Sequence, residues 1–150
     1  MLPGRFVLGL VVLVLGAVAD APIVPVGVCQ VLHELPSMDG KNVAVIGRYS
    51  YRRSGSWIGV EKCESGASQL SLVEDTKDGP KPPGNYELDG PVLDKLFSAL
   101  QRSSPLGKFR FGSADYDRWA VIYGRVQAKK DGGASLVYRG VGVVVTLTPE

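Results

Sequence analysis

The side chains able to do chemistry are few and scattered along the chain. His33 is the single histidine and stands beside Glu34. No motif supplies it with a nucleophile and an orienting carboxylate, so it reads as a surface histidine rather than a general base. One imidazole excludes any mechanism or metal site that needs two, and two cysteines exclude a four-cysteine zinc centre. Asp115 with Asp117, and Glu74 with Asp75 and Asp78, could each share a cation. Neither group follows a calcium-loop spacing, and solvated loop acids are the simpler reading. No catalytic residue, metal ligand or cofactor is assigned.

Two basic turns make the better binding candidate. Arg52-Arg53-Ser54-Gly55-Ser56 is flanked by Tyr51 and Trp57, and Lys129-Lys130-Asp131-Gly132-Gly133 has the same polar, glycine-bearing composition. The four cations of these turns, Arg52, Arg53, Lys129 and Lys130, could grip the phosphates, sulfates or carboxylates of an anionic polymer, with Tyr51 and Trp57 stacking on its units. The alternative is that basic turns maintain solubility and guard strand edges. With 17 Lys plus Arg against 15 Asp plus Glu, the formal net charge is only +2, so no global field steers a polyanion to the chain. Any preference must be local.

The N-terminal residues read as an address. Met1 to Arg5 carries positive charge, Phe6 to Leu15 is apolar, and Ala17-Val18-Ala19 offers small residues at the cleavage positions, the order of a secretory signal peptide cut after Ala19. The apolar run to Ala19 would make about 21 Å of helix at ~1.5 Å per residue, short of the ~30 Å hydrocarbon layer. The expectation is a signal peptide over 1–19 and one mature domain over 20–150, secreted or periplasmic. Export changes the reading of the cysteines, because thiols outside a reducing compartment tend to pair, and Cys29 and Cys63 are the two present. The absence of a Cys-x-x-Cys pair argues for a structural bridge rather than a redox one.

The elements that must position these residues follow from periodicity. Pro25 can open a helix whose apolar stripe is Val28, Val31, Leu32 and Leu35, ended by Pro36. Val43, Val45, Gly47, Tyr49 and Tyr51 then alternate with Ala44, Ile46, Arg48 and Ser50, as a strand does. Trp57 to Val60 and Gln69 to Val73 are two further strands. A Pro- and Gly-rich stretch over 76–90 leads to an Asp89-Gly90-Pro91 helix start, with Leu93, Leu96, Phe97 and Leu100 as its buried stripe. Lys108-Phe109-Arg110-Phe111 could be a short edge strand. Trp119 to Ala128 is a strong strand, and Leu136 to Leu147 a β-rich return interrupted by Gly140 and Gly142.

One internal similarity bears on the sheet. Val43 to Gly55 aligns without a gap to Ala120 to Gly132, matching Gly47 to Gly124, Arg48 to Arg125 and Arg52-Arg53 to Lys129-Lys130. Two strands that bend at equivalent glycines and end in equivalent basic turns are parts of a small curled sheet.

The motif Val43-Ala44-Val45-Ile46-Gly47-Arg48, followed by two strands, a helix and a second glycine-containing strand pair, resembles the oligonucleotide/oligosaccharide-binding (OB) barrel. The stretch Cys29-Gln30-Val31-Leu32 through Gly47, with Cys63 after the second strand, is similar to small secreted bacterial proteins of that barrel type, mostly of unassigned function. The resemblance implies a mainly β (α+β) fold, a five-stranded OB-like barrel with a helix before strand one and another between strands three and four. It also implies the Cys29–Cys63 disulfide and a ligand face flanked by the two basic loops. It implies no activity. Three roles are therefore weighed: an exported non-catalytic module contacting an anionic polymer or another envelope or secreted protein, a structural envelope protein, and a metal-dependent nuclease-like hydrolase. The last rests on Glu74-Asp75-Thr76 and Arg48, which faintly echo the secreted thermonucleases of this barrel.

Overall fold

Residues Val26–Gly27 form a two-residue strand, β1, and are followed by two short helices, α1 (Val28–His33) and α2 (Leu35–Met38). Then come strands β2 (Asn42–Arg52), β3 (Gly55–Gly59) and β4 (Gln69–Glu74), helix α3 (Gly90–Ser103), and strands β5 (Tyr116–Ala128), β6 (Ala134–Tyr138) and β7 (Val144–Leu147). The computed structural model describes residues 21–84, 86–103 and 116–148, the Tyr116 side chain excepted. Residues 1–19, for which a signal peptide is expected, the edge strand expected at Lys108–Phe111, and Asp115 lie outside the described residues.

Five strands close into a barrel. β2 pairs antiparallel with β3, β3 with β4, and β4 runs parallel to β6. β6 pairs antiparallel with β5, and β5 returns to β2 in a long ladder from Asn42↔Arg125 to Tyr51↔Tyr116. The expected architecture is the one that forms: a mainly β chain with a closed five-stranded barrel, a helix before its first strand, and a helix between its third and fourth.

The strands close because two of them change partners along one edge. β2 pairs with β1 at Val45 and Ile46 and with β3 from Arg48 onward, so Gly47 is the residue at the change. β5 pairs with β7 through Ile122 and with β6 from Gly124 onward. These are the two glycines matched by the internal similarity. A Cβ on Gly47 would stand 2.9 Å from both the Gly59 carbonyl and Ile58 Cγ1, and one on Gly124 would stand 2.6 Å from the Val137 carbonyl. Both positions exclude side chains because a neighbouring backbone fills that space.

Strict alternation fails in the middle of β2 and β5, where Ala44, Val45 and Ile46 and the run Ala120, Val121 and Ile122 are all 0% exposed. The reason is a second layer outside the barrel. Phe97 of α3 meets Trp119 edge-on at 6.0 Å between ring centroids, and Tyr86 meets Tyr123 at 5.8 Å. Leu93, Leu96, Phe97 and Leu100, the stripe expected for α3, pack on the core but keep partial exposure. Burial, with Tyr123 nearby, pushes the Tyr86 phenol up to about 12.

The N-terminal region differs from expectation. Pro25 is buried but opens no helix, because the next two residues pair with β2 as a parallel strand. Pro36 does not end the helical segment. It occupies the first turn of α2, where its missing N–H costs nothing, and Met38 adds a buried side chain beyond it. At the other end, the expected β-rich return is two strands, β6 and β7, parted by a 3-10 turn at Val141–Val143.

Cys29 of α1 and Cys63, after β3, form a disulfide with their Cα atoms 5.4 Å apart. Such a bridge points to an oxidising, extracellular-type environment. No helix among the described residues is long and apolar enough to cross a membrane.

Candidate functional site

The β3–β4 ladder divides its side chains between two faces. Ile58 pairs with Leu70 and both are fully buried inside the barrel, which turns the neighbouring pair, Trp57 and Ser71, to the outer surface. Trp57 also pairs with Ser50 of β2, and Ser50 with Asp117 of β5. One outer row therefore runs Ser71, Trp57, Ser50, Asp117 across four strands.

Two cations reach into this row from the basic loops. Arg52 lies over the Trp57 ring, its Cζ 5.6 Å from the centroid, within the range of a cation–π contact. Its Nη2 donates to Asp117 Oδ2 at 2.7 Å, and its Nη1 donates to the Tyr51 carbonyl at 2.9 Å. From the other loop, Lys129 Nζ donates to Ser71 Oγ at 2.9 Å. Trp57 keeps partial exposure between them.

Asp117 shows how the electrostatics balance. Burial works to raise its carboxyl pKa, but hydrogen bonds from Arg52 and Ser50 and the charges of Arg52 and Arg48 outweigh it and hold the group below the ordinary carboxylate value. Arg52 is consequently neutralised in place, a brace for the Trp57 ring more than a free cation.

The β2–β5 ladder sets Tyr51 opposite Tyr116 and Asn42 opposite Arg125, so the Arg52–Ser56 and Lys129–Gly133 turns leave from opposite ends of it, while the β3–β4–β6 pairings bring Lys129 back beside Ser71. Arg52 and Lys129, one from each basic loop, converge on the Trp57–Ser71 pair. Arg53 and Lys130 are exposed at the tips. Tyr51 leaves the row altogether, since it pairs with Ser56 and projects from the face opposite to Trp57.

Turn chemistry explains the tips. Gly55 and Gly132 have φ of 141° and 87°, a region glycine enters without strain. Asp131 Oδ1 accepts from the Gly133 N–H at 3.0 Å, closing the second turn on itself.

The remaining candidates are dispersed. His33 is exposed at the end of α1, beside a recess lined by both cysteines, Lys62 and Glu64. Asp75 Oδ1 accepts the N–H groups of Lys77 and Asp78, and these two bonds keep its carboxyl below the ordinary value. Among the described residues, no group of three His, Cys, Asp or Glu side chains is placed to hold a metal ion.

Sequence reasoning missed Ser50, Ser71 and the engagement of Asp117. Asp117 is 65 positions from Arg52, and Ser71 is 58 from Lys129. No local pattern links residues that far apart, and their pairing is decided by strand register.

No known family profile matches the chain, and no curated protein matches it either. Among solved structures it is similar to "OBody AM1L10 bound to hen egg-white lysozyme", at 20% sequence identity over 77% of this chain and 86% of that one, with a TM-score of 0.37. A superposition that loose bears on neither fold nor function.

Proposed function

We propose that this protein is an exported, non-catalytic binding module of the OB type, one domain over 20–150 behind a signal peptide over 1–19, which holds an anionic polymer across the outer face of β3 and β4. The strand order β2-β3-β4-β6-β5-β2, with its parallel β4–β6 closure, supports the OB assignment. The observation that carries the binding reading is the placement of Arg52 over Trp57 and of Lys129 on Ser71, the residue opposite Trp57. A partly exposed indole braced by Arg52 and set beside the Lys129 ammonium suits a chain of anionic groups alternating with stackable units. Arg53 and Lys130 extend positive charge along the approach, without the large field that would attract every polyanion.

The test is a fluorescence titration with two polymers, a sulfated heparin oligosaccharide and single-stranded oligothymidylate, from 50 to 300 mM salt. Binding of either should weaken as salt rises, with a slope of log K against log salt that Lys129→Ala reduces. Trp57→Ala should weaken binding by about 1–3 kcal/mol if units stack on the indole. Absence of binding to both polymers, or binding indifferent to salt, overturns the proposal.

A further inference from the structure

The side chains turned away from the Trp57 row build a second, chemically different site. Tyr49 and Tyr51 lie two residues apart on one face of β2, and Val144 and Thr146 lie two apart on one face of β7. Together with Tyr138 of β6 and Val141 of the 3-10 turn, they line a recess of about 300 Å³. Strand β5 lies between β2 and β7 and places the short side chain of Ala120 opposite Thr146, which leaves room between the tyrosines and β7.

The lining is neutral. Three phenols, one hydroxyl and two valines face the recess, with no charged side chain among them. Two charged residues flank it with opposite signs: Glu74 stands opposite Tyr138, and Arg118 stands opposite Tyr49 with its Nη1 donating to the Asp117 carbonyl at 3.2 Å. Burial, with Tyr49 and Glu74 nearby and a hydrogen bond with Tyr49, pushes the Tyr138 phenol up. Two large apolar-surfaced side chains at the rim are well exposed, Tyr51 at 53% and Val141 at 83%. Exposed aromatic and aliphatic surface gathered around hydroxyl groups is a feature of ligand sites more than of an idle surface.

We infer that this recess at the barrel mouth binds one pyranose ring of a neutral saccharide. A pyranose has apolar C–H faces for the tyrosine rings and Val141, and a rim of hydroxyls for the phenols and Thr146. An anion would meet no cation in the lining, and an alkyl chain would offer no polar group to the lining hydroxyls. A polyproline segment needs successive aromatic slots along an extended helix, whereas this is one cup at the small end of the ~300–1,000 Å³ range of ligand pockets. The site is independent of the polymer face, since Tyr51 and Trp57 project from opposite faces of the same hairpin.

The experiment is saturation-transfer difference NMR on the disulfide-bonded protein with chitotriose, cellotriose and maltotriose, at 150 and 500 mM salt, and with hexaproline in parallel. At least one trisaccharide should receive saturation at its ring protons, to the same extent at both salt concentrations. Tyr51→Ala and Val141→Asp, both at exposed positions, should each reduce that signal at least fivefold while the near-ultraviolet circular dichroism is retained. Salt independence separates this site from the polymer face, so failure of either reading leaves the other standing. The inference is overturned if no trisaccharide receives saturation, if the signal survives both substitutions, or if hexaproline alone is bound.

Discussion

Arg52 and Asp117, 65 positions apart, meet with 2.7 Å between Nη2 and Oδ2 and tie the β2–β3 hairpin to the start of β5. The side chains keep 26% and 9% exposure, so the pair is neither a solvated surface bridge nor a fully dry one. Its position beneath the Arg52–Trp57 contact makes it the anchor of the outer row.

Because Asp117 is held below its ordinary carboxylate value in the folded chain, the stability it contributes is present above the unfolded value near ~3.9 and is lost as pH falls through the lower folded one. Asp117→Asn should therefore cost roughly 1–3 kcal/mol at pH 7 and flatten the loss of stability as pH falls below about 4. Urea denaturation at a series of pH values checks both. An unchanged acid slope in the variant contradicts the role given to this carboxylate.

Replacing Cys29 and Cys63 together by serine opens a loop with sequence separation 34. The chain-entropy relation sets the cost at about 4 kcal/mol, on the order of 10 °C in melting temperature for a domain of this size. Thermal unfolding with and without reductant should show the same displacement for the reduced wild-type chain as for the double variant.

Gly47→Ala and Gly124→Ala should each destabilise the barrel by about 1–3 kcal/mol, because the new methyl meets a neighbouring backbone carbonyl at 2.9 and 2.6 Å. Gly142→Ala is the control, since a Cβ there meets nothing within 4 Å. Denaturant midpoints that rank all three alike would remove the argument that close approach fixes the two glycines.

Phe97→Ala tests the outer layer. The ring packs edge-on against Trp119, which is 3% exposed, so truncation should cost roughly 2–4 kcal/mol and move the Trp119 fluorescence to longer wavelength as water reaches the indole. A spectrum that does not move would mean that α3 leaves Trp119 unshielded in solution.

The elements were legible in the sequence wherever one principle acts locally. The β2 pattern, the Asp89-Gly90-Pro91 start of α3 and the basic turns were all read within a few residues of their observed places, because strand alternation, helix capping and turn glycine are short-range effects. Asp89 does accept from the Val92 N–H at 3.1 Å, as a helix start requires. Pro36 escapes a local reading because a proline that ends one helical turn can also begin the next, and here it begins α2 with Met38 buried beyond it.

The sequence by itself determined which residues could cross between sheets, since Gly47 and Gly124 lack the Cβ that would obstruct them, and which two sulfurs could bond. Tertiary structure alone decided which side chains share a face. Strand register has a period of two, so it sends Trp57 and Tyr51 to opposite surfaces and brings Asp117 to Arg52 and Ser71 to Lys129. Charge composition could place cations in the two turns, but the distance between those turns is a property of the β2–β5 ladder. That ladder forms only when residues more than 60 positions apart pair, and no local pattern along the chain encodes such a pairing.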